Sequence, residues 1–451
     1  MGVLVVYGVP DASTYLYYGL HNLQHRGQEG GGIATFDENG NSYRYRGLGL
    51  LSEVFTNGQV QKLYGHLGIG AVKYANASRD GLDNVCPIFF RHHSGDFAVA
   101  SDGNLVNSRQ LAEYLEKRGT IFQTDTDAEI LAHLIKKSAN EDRIVNIVKA
   151  LNMMEGGFTF VVMTKNRIYA ARDKYGIKPL CIGKLGDGFV VSSESCAFGI
   201  MGAEFIRDVR PGEIVTLDHH GIRSTIYSKF CKHRMCGMEY IYFARPDSDI
   251  DGCNVHAYRK EAGRRLCREN PVDADIVVGV PESSLSAAMG YAEESGIPYE
   301  MGLIKHKYVG RTFIEPVQSM RELGVKMKLS PVYSIVKGKR IILVDDSIVR
   351  GTTCLKIVRL LREAGATEVH VRIASPMMKY TCHYGVDTST PEELLCSHRT
   401  LEEARIAIGA DSLGYLSPES TRASAFGCAD PCQACFTGEY PTLLYDQEID
   451  E

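Results

Sequence analysis

Up to about residue 230 the apolar positions fall in short alternating or β-branched runs, among them "VLVVYG", "FTFVVMT", "RIYAAR", "GFVVSSES" and "EIVTLD", broken by Gly and Asp turns. Such runs predict strands with one face in a core. Two stretches, "STYLYYGLHNLQH" and "DAEILAHLIKKSA", space their apolar residues three and four apart and predict helices. A sheet-rich α+β unit is therefore expected over residues 1–230. From about 255 the rhythm becomes helix, strand, helix, strand, in "AYRKEAGRRLCRE", "ADIVVGV", "SSLSAAMGYAEESG", "KRIILVDD", "TCLKIVRLLREAG" and "EVHVRIAS". Apolar strands alternating with amphipathic helices predict a parallel sheet covered on both faces, in a second unit over 231–451. No repeat or low-complexity linker parts the two, so close packing is expected.

A length of 451 residues exceeds what one core usually holds and agrees with two units. A formal charge of −5 gives no footprint for nucleic acid or an anionic membrane. The N-terminal "MGVLVVYGVPDAS" lacks the basic lead of a secretory signal, Val6 stands where myristoylation wants Ser or Thr, and no run approaches the ~18 apolar residues of a membrane span. A cytoplasmic protein is expected. Its 13 cysteines then read as reduced thiols or metal ligands before disulfides.

The most informative stretch is "IILVDDSIVRGTT", residues 341–353. A buried strand runs into two acids, and a hydroxyl-rich bend leads to a helix. In a parallel sheet, ligands collect beyond the carboxyl ends of the strands. Ser347, Thr352, Thr353 and the N–H groups freed by Gly351 suit a phosphate at the helix mouth. Asp345 and Asp346 suit the hydroxyls of a vicinal diol. A ribose 5'-phosphate carries both groups. The spacing is not that of a Walker loop, and no G-x-G-x-x-G turn follows a strand, which disfavours nicotinamide and flavin nucleotides.

"VDDSIVRGTT" resembles the signature of type I phosphoribosyltransferases, which bind 5-phosphoribosyl 1-pyrophosphate (PRPP). "LQHRGQEGGGIAT", "GNLVN", "CGMEYIYFARPDS", "KYVGRTFIEP" and "CQACFTGEYPT" extend the resemblance over the whole chain, to the amidophosphoribosyltransferases, glutamine–PRPP amidotransferases that open purine synthesis. The resemblance implies an α+β N-terminal-nucleophile sandwich, of the class II glutamine amidotransferase kind, followed by an α/β type I phosphoribosyltransferase domain. It also implies that Asp345 and Asp346 hold the ribose hydroxyls and Mg²⁺, that Ser347, Arg350, Gly351, Thr352 and Thr353 hold the 5'-phosphate, and that Ser283 meets the pyrophosphate. Lys305, Tyr308 and Arg311 match a lid over PRPP. Pyrophosphate departure needs positive charge on its oxygens more than it needs a base, so ammonia is a sufficient nucleophile. Purine nucleotides as inhibitors and a homodimer or homotetramer are further implications.

In the same family the first domain cleaves glutamine with an N-terminal cysteine, and Met1 stands at that position. A thioether cannot attack an amide. The family's His and Arg before Tyr are Ala71 and Lys73, which reduces a bidentate fork for the glutamine carboxylate to a point charge. The family's oxyanion-hole "HNG" reads "SDG", so Asp102 replaces an amide donor, and one such loss costs about 10² to 10³ in rate. Arg26, Gly27, Gly103 and Asp127 persist, Arg26 either as a remnant of the glutamine site or as a structural ion pair. Cys86, between apolar neighbours, reads as an inert buried thiol. Glutamine hydrolysis is expected to be lost, leaving PRPP and ammonia as substrates. A catalytically silent PRPP- or nucleotide-sensing relative, and an ordinary glutamine-dependent enzyme with a misassigned start, are the competing readings.

Taken alone, the C-x-x-C of Cys432 and Cys435 suits zinc, an iron–sulfur cluster or a redox pair. Some members of the resembling family hold a 4Fe–4S cluster, and the matching positions are Cys236, Cys382, Cys432 and Cys435. Four thiolates suit either metal, so zinc stays open. Cys231 and Cys428 are spare.

Overall fold

The computed structural model describes residues 1–74, 81–93, 95–137, 142–306, 329–386, 388, 390–426 and 430–445. Two antiparallel sheets build the first half. One has seven strands in the spatial order Glu204–Asp208, Cys181–Leu185, Gly188–Ser192, Gly2–Tyr7, Leu67–Lys73, Gly30–Phe36 and Ser42–Leu48. The other has six, in the order Gly221–Ile226, Glu213–Asp218, Ile168–Arg172, Gly156–Thr164, Phe97–Leu105 and Ile88–Phe90.

The alternation along "VLVVY" explains the layering. Val3 and Val5 join Ile69, Val99 and Val161 in the core between the sheets. Leu4 and Val6 face the other way, onto Leu16 and Leu20 of helix Ala12–Asn22. Helices Asp127–Lys137 and Arg143–Met153 cover the outer face of the second sheet through Leu131 and Ile147. The layers thus run helix, sheet, sheet, helix. Strand Gly2–Tyr7 is internal, paired on both edges, which places residue 1 at the mouth of a fixed strand beside Lys73.

Helix Arg143–Met153 was not among the predicted elements, because "RIVNIVKALNM" is rich in β-branched residues of modest helix propensity. Its buried Ile147, Ala150 and Leu151 share one face, and that packing decides the matter. Helix Ser108–Glu116 was likewise not expected.

The second half carries a parallel sheet in the order Ile276–Gly279, Arg340–Asp345, Glu368–Ile373 and Ser412–Tyr415. Ile342 and Val344 pack toward helices Val255–Glu269 and Leu285–Ser295. Ile341 and Leu343 pack toward helices Thr352–Glu363 and Leu401–Ile408. Burial on both faces accounts for the unbroken apolar run before Asp345.

The last strand of the first half ends at Ile226, and helix Val255–Glu269 opens the second. The intervening chain stays tied to the first half. The Arg234 and Cys236 amides donate to the carbonyls of Tyr175 and Ile177. The buried Arg172 guanidinium grips both oxygens of Asp251, at 2.8 and 2.7 Å. Among the described residues, no helix is long and apolar enough to cross a membrane.

Candidate active site

Strand Arg340–Asp345 ends on a buried carboxylate, and a second, Asp346, follows it. The chain then bends through Gly351 (φ 80°) into helix Thr352–Glu363. A Cβ at Gly351 would also lie 2.9 Å from the Leu395 side chain, so both backbone and space call for glycine. Over this bend opens a cavity of about 520 Å³. Its wall includes Ser283, Asp345, Asp346 and the whole run Ser347–Thr353, which brings the predicted sugar-phosphate residues together.

Hydroxyls and one amide serve the two carboxylates. Ser284 Oγ lies 2.8 Å from Asp345 Oδ1 and 3.3 Å from Asp346 Oδ2, one donor between two acids. Ser347 Oγ donates to Asp346 Oδ1 at 2.7 Å, and the Asp346 amide to Asp345 Oδ1 at 2.9 Å. Burial, then the neighbouring carboxylate, pushes Asp345 well above the ordinary carboxylate range. Burial also raises Asp346, against the pull of the serine hydroxyls and Arg259. Acids held this way favour a proton, a cation or a ligand rich in hydroxyl donors.

In this cavity sequence reasoning missed Ser284. It stands at the head of helix Leu285–Ser295, and the paired serines of "PESS" were its one signal. Arg350 lines the cavity, yet its exposed guanidinium pairs with Glu393 at 2.7 Å. Lys305 ends strand Leu303–Lys305, exposed and outside the cavity wall. Tyr308 and Arg311 lie outside the described residues.

A second cavity, of about 190 Å³, is lined by Met1, Lys73, Asp102, Gly103 and Asp127, positions where the resemblance expects a glutamine site, and by Cys86. It shares Tyr74, Val386 and Thr388 with the first, so the two are neighbours. Lys73 is buried, with Nζ 3.4 Å from the Gly81 carbonyl. Asp127 opens its helix and accepts the Leu105 amide at 3.0 Å. A Cβ at Gly103 would lie 2.0 Å from the Gly157 carbonyl, and one at Gly27 within 2.5 Å of the Lys73 backbone; both glycines are explained by packing. Burial raises the Cys86 thiol, which holds it as an unreactive thiol.

Arg26 lies beneath this cavity rather than in its wall. Nε donates to the Met1 carbonyl at 3.0 Å, and the other nitrogens reach Glu194 (2.7 Å), Glu239 (2.8 Å, twice) and Asp102 (3.2 Å). Of its two readings, the geometry carries the ion pair. Lys178 Nζ adds contacts of 3.9 Å to Asp102 and 3.6 Å to Glu239, and the Met1 nitrogen is 3.4 Å from Asp102. Burial would raise Asp102, but the amino group, Lys178 and Arg26 outweigh it and hold the carboxyl far below its usual range. Glu194 is held low in the same way by His25 and Arg26. Lys178, Glu194 and Glu239 were not anticipated; an acid inside the apolar run "CGMEYIYF" was the visible hint for Glu239.

The four cysteines come together. Cys236 and Cys432 form a backbone bridge, Lys379 and Tyr380 donate to the Cys435 carbonyl, and Cys382 packs against the same apolar cluster. All four are free thiols. Each is raised by burial first; Cys435 is raised further by the other three, and Cys432 reaches about 12. Among the described residues, no three His, Cys, Asp or Glu side chains are placed to hold a single metal ion. Cys231 is exposed, and Cys428 lies outside the described residues.

Residues 84–199 match the family model for a glutamine amidotransferase domain, and residues 264–385 that for a phosphoribosyl transferase domain. The chain is 50% identical to the amidophosphoribosyltransferase of Bacillus subtilis, with 99% of this chain and 95% of that protein covered. It is 47% identical to the amidophosphoribosyltransferase of Staphylococcus aureus strain Mu50, over 99% of this chain and 92% of that one. A solved structure of the B. subtilis glutamine PRPP amidotransferase complexed with ADP and GMP superposes with a TM-score of 0.94, covering 99% of this chain and 98% of that one at 50% identity. A structure described as the allosteric regulatory enzyme of purine biosynthesis gives 0.95, with 99% and 97% covered at 50% identity.

Proposed function

The chain belongs to the amidophosphoribosyltransferase family of purine biosynthesis, and from that premise we propose that it makes 5-phosphoribosylamine from PRPP and ammonia and has lost the hydrolysis of glutamine. The observation that carries the first part is the buried Asp345–Asp346 pair beside a hydroxyl-lined bend at a helix mouth. The ribose hydroxyls donate to the two carboxylates. The 5'-phosphate lies against Ser347, Thr352, Thr353 and the amides that follow Gly351. The C1–O bond to pyrophosphate breaks with its electron pair, and the ammonia nitrogen forms the C1–N bond and sheds a proton. Asp345 and Asp346, buried with no ion-pair partner among the described residues, fit Mg²⁺, which would supply charge for the leaving oxygens. Ser283, Lys305, Tyr308 and Arg311 are the groups proposed to meet the pyrophosphate from the protein side.

The second part rests on residue identities gathered round one cavity: Met1, Lys73 and Asp102 in its wall, with Ala71 buried in the adjoining strand. A thioether, a single ammonium and a carboxylate stand where an attacking thiol, a guanidinium and an amide donor are wanted. Pyrophosphate release measured with ammonium salts and with glutamine tests both parts. Turnover is expected with ammonium and at least about 10²-fold slower with glutamine. Equal rates would refute the lost half-reaction; no turnover with either would favour the silent, PRPP-sensing relative.

Cys236, Cys382, Cys432 and Cys435 are proposed to hold a 4Fe–4S cluster. Four thiolates brought to one apolar cluster suit zinc as well, and the resemblance at these four positions is what favours the iron–sulfur cluster. The cluster would pin the C-terminal segment structurally. Iron analysis and an anaerobic visible spectrum distinguish the two. Inhibition by purine nucleotides, a homodimer or homotetramer and a cytoplasmic location complete the reading; the ADP and GMP bound to the B. subtilis relative support the first of these.

A further inference from the structure

One short turn runs from beneath the small cavity to the wall of the large one. Residues Glu239–Phe243 form a single π-helical turn, closed by the Ala244 amide on the Glu239 carbonyl at 2.9 Å. Such turns are rare and tend to sit at functional sites. Its first residue is the buried Glu239 that grips Arg26 under the small cavity. Its last two, Tyr242 and Phe243, stand in the wall of the sugar-phosphate cavity with Met238 just ahead of them.

A turn this short leaves its terminal carbonyls without partners inside the helix. Arg259, buried on helix Val255–Glu269, supplies them: Nε donates to the Tyr240 carbonyl at 2.8 Å and a terminal nitrogen to the Ala244 carbonyl at 2.7 Å. Tyr240 packs its ring on Tyr258, with centroids 5.1 Å apart, and donates its hydroxyl to the Ile250 carbonyl, which fixes the turn's inner side. Tyr242 on the outer side is 49% exposed, with its ring edge-on to Phe243 at a centroid distance of 5.3 Å. The same guanidinium faces Asp346 closely enough to draw its carboxyl down.

We propose that Arg259 is a positioning residue for the sugar-phosphate cavity: by tying the carbonyls of Tyr240 and Ala244 it holds the turn that presents Tyr242 and Phe243 to the bound sugar phosphate. This rests on the PRPP reading above, with Arg259 acting through the turn rather than on the reacting atoms. A lysine reaches one carbonyl where arginine reaches two, so the conservative variant retains part of the effect.

The test compares R259M, R259K, Y242A and R259M/Y242A in ammonium-dependent pyrophosphate release, with Mg–PRPP titrated by calorimetry. R259M is expected to raise KM for PRPP about tenfold with kcat within about twofold, R259K about threefold, and Y242A as much as R259M. The double variant is expected to be no worse than either single one, because both act through the same wall. Additive effects, or a lowered melting temperature with KM unchanged, would overturn the proposal. Should R259M not fold, R259K against Y242A decides by the same criterion. If the unmodified protein binds no PRPP, the PRPP reading fails, a result distinct from any of these.

Discussion

The two cavities differ in how their charge is met. Under the small one, Asp102, Glu194 and Glu239 are matched by Arg26, Lys178, His25 and the Met1 nitrogen, all within ion-pair distance. In the large one, Asp345 and Asp346 are buried side by side and, among the described residues, hydrogen-bonded by hydroxyls and an amide alone. Burying a charge is costly unless it is paired. In the first arrangement each acid already has a cation within ion-pair distance. The second leaves the cost to be relieved when something positively charged or rich in hydroxyl donors arrives. The contrast is between acids matched by cations and a buried pair of acids served by neutral donors, with no ion-pair partner among the described residues.

The sharpest way to break the contrast is to neutralise one acid of the large cavity. Asp346→Asn is expected to cut ammonium-dependent pyrophosphate release by about 10²-fold or more, since losing one partner of a buried, hydrogen-bonded charge costs 2 to 5 kcal/mol. Because it removes the burial penalty as well, it should leave the melting temperature unchanged or raised. A large loss of stability with little loss of activity would assign the pair to the fold instead.

The unequal legibility of the two sites has the same origin. The large cavity's floor is contiguous, "DDSIVRGTT", and follows from one strand running into one helix, so local pattern was enough. Its wall residues Tyr242 and Phe243, and the Ser284 that serves its acids from behind, come from other segments brought in by the fold, and period and spacing carry no record of that. In the small cavity the departures Met1, Ala71, Lys73 and Asp102 were visible because the resemblance supplied an expectation at each position. The compensating Lys178, Glu194 and Glu239 are single charges in apolar surroundings, from three distant stretches. Only their placement explains Arg26. The strands and the second-half helices were legible from period alone, whereas helix Arg143–Met153 was obscured by its β-branched residues.

On the small-cavity side, Asp102→Asn is expected to destabilise the protein by about 3 kcal/mol, as an uncompensated buried charge does, without restoring glutamine turnover. Thermal melts and the glutamine assay check the two halves. The pH dependence follows from the direction of the shift. Asp102 has its folded-state pKa depressed, so its stabilisation is fully present above the ordinary carboxylate value near about 4 and is lost as the pH falls toward the folded value. The difference in stability between the two proteins should therefore narrow in acid. A constant difference from neutral pH down to about 2 would show that Asp102 is not held by charge.

Ser284→Ala sharpens the other side. One hydroxyl serves both carboxylates, and without it Asp345 keeps the Asp346 amide and Asp346 the Ser347 hydroxyl, so each must replace one donor from the ligand or from water. KM for PRPP is expected to rise about tenfold, the worth of a hydrogen bond to a charged group, with kcat at saturating substrate little changed. A fall in kcat alone would place Ser284 with the chemistry rather than with the orientation of the acids.

The smallest effect is expected at the rim. Arg350 was read from sequence as a phosphate ligand, and it does line the large cavity. Its side chain is 58% exposed, however, and is paired with Glu393, itself half exposed, at 2.7 Å. An exposed pair of this kind is worth about 0 to 1 kcal/mol, and an arginine that must first leave a carboxylate gains correspondingly less from a phosphate. Arg350→Ala is thus expected to raise KM for PRPP less than about fivefold, and Glu393→Gln to lower it slightly by releasing the guanidinium. The salt dependence is the discriminating measurement: if Arg350 holds the phosphate directly, added salt should weaken PRPP binding more in the unmodified protein than in the alanine variant. Equal slopes would leave the phosphate to the hydroxyls and backbone amides of the bend, where the contrast between rim and floor puts it.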